Sequence, residues 1–210
     1  GQVYALKHVI RRQDKDIRFI KQLENEFNVT RKFRNPALRR CFDFKVSKSF
    51  FRGITQAALV MELFDGVPLD QQRPADLPTI LDRFKQVARG LMGLHYLLFV
   101  HCDLKPNNIL TDANGKVKII DFGQACETGT VKGRIQGTPD FIAPEQVKCE
   151  PVTARTDVFN LGATMYWTLT RRSIPTLYTL KKGENSFLVD DRIASPRDID
   201  PGVPEPLSNL

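Results

Sequence analysis

The chain has 210 residues, 41% of them hydrophobic and 26% charged, a balance that excludes a disordered or collagen-like polypeptide. No apolar run approaches the ~20 residues that span a bilayer, and the first residues, GQVYALKHVI, lack the pattern of a signal peptide. The net charge of +7 favours anionic ligands such as nucleotides, nucleic acid or acidic lipid, and chooses none of them.

Val3 to Ile10 alternates in part and reads as a strand. Asp14 or Asp16 caps a helix expected to continue to about Phe33. One stripe of it holds Phe19, Leu23, Glu26, Thr30 and Phe33; a second holds Ile17, Ile20, Glu24 and Phe27. Asn35-Pro36 ends the helix. Strands are expected over about Ala37 to Ser47 and Ile54 to Leu63. A turn at Asp65-Gly66-Val67-Pro68 marks a boundary, giving segments 1–64 and 65–210. Leu77 to Leu97 reads as a long helix, with Leu81, Phe84, Val87, Ala88, Leu91 and Leu94 at helical spacing. Ile109 to Thr111 and Val117 to Ile120 flank Asp112-Ala-Asn-Gly115, which is hairpin chemistry. Val158 to Leu169 is apolar nearly all round, so a helix buried on every side is expected. From Arg171 onward five prolines predict loop with short helices. Strands with one helix, then mainly helices, amount to an α+β chain with a small sheet lobe, a larger helical lobe and a cleft between them.

The basic block Arg31 to Arg40 has only Phe33 as an aromatic, so a solvated helix end and loop is the expectation rather than a nucleic-acid patch. Cys41, Cys102, Cys126 and Cys149 form no CxxC pair and have no histidine at zinc spacing; reduced thiols in the cytoplasm are expected, with Cys126 and Cys149 as the candidates for oxidation.

The strongest chemical signal runs from His101 to Gly123. HCDLKPNN supplies Asp103, then Lys105 two residues on and Asn108 five residues on, in a loop containing Pro106. Thirteen residues after Asn108, beyond the hairpin, Asp121 leads into Phe122-Gly123. The hairpin returns Asp121 beside the loop, so two carboxylates and an amide converge with oxygen ligands for a hard cation such as Mg2+. Lys105 adds a point charge for phosphate.

This stretch resembles the catalytic loop and metal-binding motif of protein kinases. Tyr4-Ala-Leu-Lys7 resembles the family's strand lysine, Val60-Met-Glu-Leu-Phe64 its hinge, Ala143-Pro-Glu145 the end of its activation segment, and Asp157-Val-Phe-Asn-Leu-Gly162 the start of the buried helix beyond. The resemblance implies a bilobal protein-kinase-like fold, with 1–64 as a partial N-lobe and 65–210 as a partial C-lobe of one domain truncated at both ends. It implies ATP and Mg2+, and protein substrates with serine or threonine acceptors. Lys7 would hold the α and β phosphates, paired to Glu26, 19 residues on; Glu24 is the alternative. Asp103 would receive or orient the proton of the acceptor hydroxyl, Lys105 would meet the γ-phosphate, and Asn108 and Asp121 would bind the metal. Backbone groups of Glu62 and Phe64 would hold the adenine edge, with Met61 behind. Thr138 would bond toward Asp103 and Lys105 and shape the acceptor site, and His101 would pack on Phe122. His8 and His95 read as structural, without a carboxylate nearby. Lys105 is similar to the serine/threonine branch, and Asp121 to Glu145 looks similar to bacterial members.

Three departures stand out. Cys102 replaces the arginine that usually stands beside the catalytic aspartate and receives an activation-segment phosphate. No GxGxxG precedes Lys7. The arginine that usually pairs with the glutamate at Glu145 is not found, and an unpartnered buried carboxylate would cost about 3–5 kcal/mol. The contrasting readings are a nucleotide-binding scaffold without catalysis, opposed by the presence of Lys7, Asp103, Asn108 and Asp121, and a basic nucleic-acid binder, for which no motif speaks.

Overall fold

The structure, a computed structural model, describes residues 1–51, 53–180 and 193–209. It opens with β1 (Tyr4–Ile10), a 3-10 turn at Asp14–Asp16 and α1 (Ile17–Thr30). Then come β2 (Cys41–Ser49) and β3 (Gly53–Glu62), which form an antiparallel sheet in the order β1-β3-β2. In β1 every second residue turns inward. Ala5 and Val9 pack on a core of Ile20, Leu23, Leu59 and Met61. Lys7 lies between them and faces the same way.

Two boundaries differ from the sequence reading. Helix α1 stops at Thr30 rather than near Phe33, because the Arg31 and Lys32 amides bond back to Phe27 and Val29 and the chain turns. Strand β2 begins at Cys41 rather than Ala37. The stretch before it is used otherwise: Ala37 and Leu38 are tied to Asn35, and Ala37 and Arg39 bond Ile119. A short link between the sheet and the helical part thus replaces the start of the strand. The α1 face is also rotated from the expected stripe. Ile20, Leu23, Glu26, Val29 and Thr30 are buried, whereas Phe19 and Glu24 are exposed.

After β4 (Val67–Pro68), α2 (Leu77–Tyr96) begins on Asp76, whose carboxylate accepts the Thr79 N–H at 2.9 Å. Its inner face, Ile80, Phe84, Val87, Leu91 and Leu94, anchors the larger core. The strand β5 (Phe99–Val100) leads into the loop from His101; β6 (Ile109–Thr111) and β7 (Val117–Ile119) make the hairpin. Asp112 fixes its turn by accepting the Asn114 and Lys116 amides, and Gly115 supplies the positive φ of 80°. β8 (Cys126–Glu127) pairs with β5, and α3 (Pro144–Val147) precedes α4 (Ala154–Thr170).

Helix α4 is not buried on every side. Val158 is 61% exposed, and the fully buried positions are largely small or polar: Thr156, Asp157, Asn160, Ala163, Thr164 and Thr168. Threonine hydroxyls at 164 and 168 bond the carbonyls of Asn160 and Thr164, so they are satisfied within the helix. Short helices α5 (Pro196–Ile199) and α6 (Glu205–Ser208) follow; the part of the tail at 181–192 lies outside the described residues. Among the described residues no helix is long and apolar enough to cross a membrane.

Candidate active site

Four elements meet at one centre. Strand β1 supplies Lys7, whose ammonium donates to Glu26 Oε2 at 3.0 Å and to Asp121 Oδ1 at 3.1 Å. Helix α1 supplies Glu26, which is 1% exposed, while Glu24 points to solvent. That decides between the two carboxylates: burial beside a cation is tolerable for Glu26 only because Lys7 reaches it. Burial weighs most on Lys7 and opposes its charge, yet Glu26 and Asp121 together carry its pKa above the ordinary lysine value. Burial also dominates Glu26 and raises its pKa despite Lys7. For Asp121 burial is again the largest influence, but Lys7 and neighbouring donors overcome it and hold the carboxyl below the usual range. One lysine therefore stands between a carboxyl whose pKa burial raises and one whose pKa is held below the usual range.

Asp121 has a left-handed backbone, φ 65° and ψ 73°, a conformation that costs a non-glycine residue on the order of 1–3 kcal/mol. The turn is held from α1. Asn25 Nδ2 lies 3.2, 3.2 and 2.8 Å from the carbonyls of Phe122, Gly123 and Ala125. Phe122 is fully buried between Phe33 and His101, its ring 5.3 and 5.0 Å from theirs. His101 is a packing residue: its Nε2 lies 3.1 Å from the Ile120 carbonyl and its Nδ1 faces the Asp103 amide.

The loop after His101 carries a second cluster. Thr138 Oγ1 donates to Asp103 Oδ1 at 2.8 Å and accepts from Lys105 Nζ at 2.8 Å; the Lys105 ammonium is 3.4 Å from Asp103 Oδ2. Asn108 Nδ2 donates to the Asp103 carbonyl at 2.8 Å, and the Asn108 carbonyl accepts the Ile120 amide at 3.0 Å. This leaves Asn108 Oδ1 and Asp121 Oδ2 without a hydrogen bond among the described residues. A neutral amide oxygen and a carboxylate oxygen suit a hard divalent cation that completes its shell with water and phosphate oxygens. Among the described residues there is no cluster of three or more His, Cys, Asp or Glu side chains set to hold a metal.

Met61 is buried at the inner end of β3, with Arg39 Nη1 3.4 Å from its sulfur. Glu62 next to it is pinned from both sides: its Oε1 accepts from Lys118 Nζ at 2.7 Å, its Oε2 accepts the Arg40 amide at 3.2 Å, and its own amide bonds the Arg40 carbonyl. The Phe64 carbonyl is taken by Gly66, and the Lys118 ammonium lies 5.4 Å over the Phe64 ring. The segment 61–64 is therefore rigidly attached to the hairpin that delivers Asp121. A cavity of about 490 Å3 is lined by Lys7, Val9, Phe19, Leu23, Asp103, Asp121 and Gly123, so Lys7, Asp103 and Asp121 open onto one space, while Lys105 and Thr138 line a neighbouring one.

Several supporting contacts had no signal in the sequence. Asp157, fully buried, accepts the amides of His101 and Cys102 at 2.8 and 2.9 Å and lies 2.8 Å from His95 Nε2. His95 therefore does have a carboxylate partner, brought from 62 residues away by the α2–α4 packing. Gln146 Nε2 donates to the carbonyls of Cys102 and Gln136. Glu145 is only half-buried and accepts from Thr156 Oγ1 at 2.5 Å, so the expected unpartnered buried carboxylate does not arise.

Comparison with known proteins agrees with this architecture. A model of the protein kinase domain matches residues 1–196. The serine/threonine-protein kinase PknA of Mycobacterium tuberculosis (strain ATCC 25177 / H37Ra) is 34% identical over 174 residues, 79% of this chain and 40% of that protein. The serine/threonine-protein kinase TIO of Arabidopsis thaliana is 34% identical over 171 residues, 79% of this chain and 12% of that protein. The serine/threonine-protein kinases PknA of Corynebacterium glutamicum is 39% identical over 122 residues, 54% of this chain and 26% of that protein. The chain thus spans two fifths or less of the length of these relatives. A sheet carrying an inward lysine, a helix glutamate bound to it, and a loop and turn that bring Asp103 and Asp121 to the same cavity are joined here to a family match over most of the sequence: the chain belongs to the protein kinase family.

Proposed function

We propose that this chain transfers the γ-phosphate of ATP to serine or threonine hydroxyls of protein substrates. The observation that carries the reading is the single cavity onto which Lys7, Asp103 and Asp121 all open. Phosphoryl transfer asks a protein mainly for positioning and charge neutralisation. Lys7, steadied by Glu26, supports the α and β phosphates. Asn108 Oδ1 and Asp121 Oδ2 are the oxygens that would hold Mg2+, which when bound neutralises charge between the phosphates. The Glu62 and Phe64 backbone, with Met61 behind, receives the adenine edge.

Asp103 is the residue that would meet the acceptor hydroxyl. Thr138 and Lys105 constrain both of its oxygens, so the carboxylate is oriented to accept a hydroxyl proton, and Lys105 remains close enough to neutralise the transferred phosphoryl group. Lys105 and the serine/threonine kinases among the relatives support Ser/Thr over Tyr as acceptor. Four free thiols fit a reducing compartment such as the cytoplasm.

The test is phosphate incorporation from ATP into a generic basic protein acceptor. Asp103→Asn is expected to lower the rate at least about 10²-fold, as loss of a positioned proton acceptor does. Incorporation equal to wild type, or phosphate appearing on tyrosine, would overturn the reading. Cys102 cannot form the bidentate ion pair that an arginine offers a phosphate. Thr128 and Thr130 are instead engaged through their backbone, with Leu98 and Val152. Thr128→Ala/Thr130→Ala is therefore expected to keep its rate within about threefold of wild type, under about 0.7 kcal/mol of barrier. A steady-state assay checks this, and a collapse in rate would contradict it.

A further inference from the structure

The mechanism makes no use of a thiol pair directly beneath it. Cys102 Sγ and Cys126 Sγ lie 3.7 Å apart, although the residues are 24 positions apart in sequence. The approach follows from the fold. Strand β8 pairs with β5 so that Cys126 faces Val100, and Cys102, two residues on, returns to the same side. The sulfurs share a small core with Val100 and Val152. Both ends are held through the backbone: Asp157 and Gln146 grip the amide and carbonyl of Cys102, and the β5–β8 ladder holds Cys126. Cys102 also has a positive φ of 64°, a strained conformation for a residue with a Cβ.

We propose that Cys102 and Cys126 form a dithiol–disulfide switch that a peroxide closes, clamping the segment after Gly123 to the loop that carries Asp103. The sulfurs are within about 1.7 Å of bonding distance, since an S–S bond is about 2.05 Å. The loop they close runs from Cys102 to Cys126 and so contains Asp103, Asn108 and Asp121.

The two cysteines have different parts to play. Cys102 is 1% exposed and Cys126 half-buried, so Cys126 is the one an oxidant reaches. The sulfur–sulfur contact with Cys102, together with Lys132 and Thr130, pulls the Cys126 thiol below its ordinary pKa in spite of burial, while the Cys102 thiol is pushed up by the same pairing and by burial. In the first step the Cys126 thiolate attacks one oxygen of hydrogen peroxide. The O–O bond breaks, leaving Cys126 sulfenic acid and hydroxide. In the second, Cys102 sulfur attacks the sulfenyl sulfur. The S–O bond breaks and the departing hydroxide takes the Cys102 proton as water. Counting the proton first lost from Cys126, two thiols and one peroxide become one disulfide and two waters; the sulfurs are oxidised and the peroxide oxygens reduced. No other described cysteine has such a partner: Cys41 is buried with its thiol pushed up to about 11, and Cys149 lies apart.

Formation of the bond does not depend on the activity proposed above; its effect on transfer does. Misplacing catalytic groups by ~1 Å costs about 10²-fold, so a strained clamp is expected to slow transfer by about tenfold or more. The protein is treated with hydrogen peroxide, alkylated, digested and mapped by mass spectrometry, with phosphate transfer measured in parallel. The expected result is a peptide pair linked through Cys102 and Cys126, lost with dithiothreitol, absent in Cys126→Ser and Cys102→Ser, and retained in Cys149→Ser. Transfer falls on oxidation, recovers with dithiothreitol and is insensitive to peroxide in Cys126→Ser. Free Cys102 beside a sulfinylated or unmodified Cys126 would overturn the pair, and a linked protein with undiminished transfer would overturn the clamp. A reduced protein without transfer would count against the kinase reading instead, while the linked peptide would still uphold the pair.

Discussion

Asp121→Asn is expected to leave the protein folded and to remove phosphate transfer, with a rate at least about 10³-fold below wild type, on the order of 4 kcal/mol of transition-state stabilisation. The change is close to isosteric. The amide oxygen can still accept the Gly123 N–H that Asp121 Oδ1 accepts at 3.4 Å. What goes is charge. Lys7 loses one of its two carboxylates, at 3.1 Å, and the proposed cation loses its only anionic protein ligand, since Asn108 is neutral. Coulomb attraction between unit charges scales inversely with distance and is strongest where water is excluded. A divalent ion left with a neutral amide and solvent therefore binds too weakly to organise a triphosphate. The measurement is a Mg2+ titration of ATP-dependent phosphate incorporation, with a thermal melt to show that the variant is folded. A folded variant transferring at a tenth of the wild-type rate or better would contradict the account.

Asp157→Ala is expected to destabilise the fold by about 3–5 kcal/mol, because it strips a fully buried carboxylate from three donors. The amides of His101 and Cys102 would be left buried without an acceptor, each costing about 1–3 kcal/mol. Domains of this kind have only about 5–15 kcal/mol in total. At about 2–4 °C per kcal/mol, the melting temperature should fall by roughly 6–20 °C. The loop carrying Asp103 follows directly on those two amides, so the surviving folded protein should also transfer phosphate more slowly. Urea denaturation at constant m-value measures the loss, and a change below about 1 kcal/mol would show that the carboxylate is not the anchor described.

The fold was legible where a periodic pattern ran unbroken. The alternation of β1 and the apolar spacing of α2 follow from local pattern, and the structure gives them nearly the expected bounds. Prediction faltered where tertiary contacts overrode pattern. Residues 37–39 look like the start of a strand but are bonded across to Ile119. Helix α4 reads as apolar all round, yet its buried face is largely threonine, asparagine and aspartate, held by local and cross-element hydrogen bonds that periodicity does not register. The wheel of α1 left Glu24 and Glu26 open; only the direction of Lys7 from β1 separates them.

For the candidate site, motif residues were legible because their spacing within one stretch is informative. Their supports were not. Asn25 reaches three carbonyls nearly a hundred residues away, and nothing in its neighbourhood marks it out. Asp157 lies in a quoted motif, but its partners come from α2 and from the loop after β5. The proximity of Cys102 to Cys126 is equally a product of the β5–β8 pairing, not of any cysteine spacing rule.

The most direct test of the central claim is paramagnetic relaxation by Mn2+ standing in for Mg2+ with ATP on the isotope-labelled protein. The account predicts that the amide signals of Asn108, Asp121 and Gly123 broaden together, that Lys7 is affected next, and that those of the distant α6 residues do not change. Broadening centred elsewhere, or none when ATP and Mn2+ are both present, would contradict it.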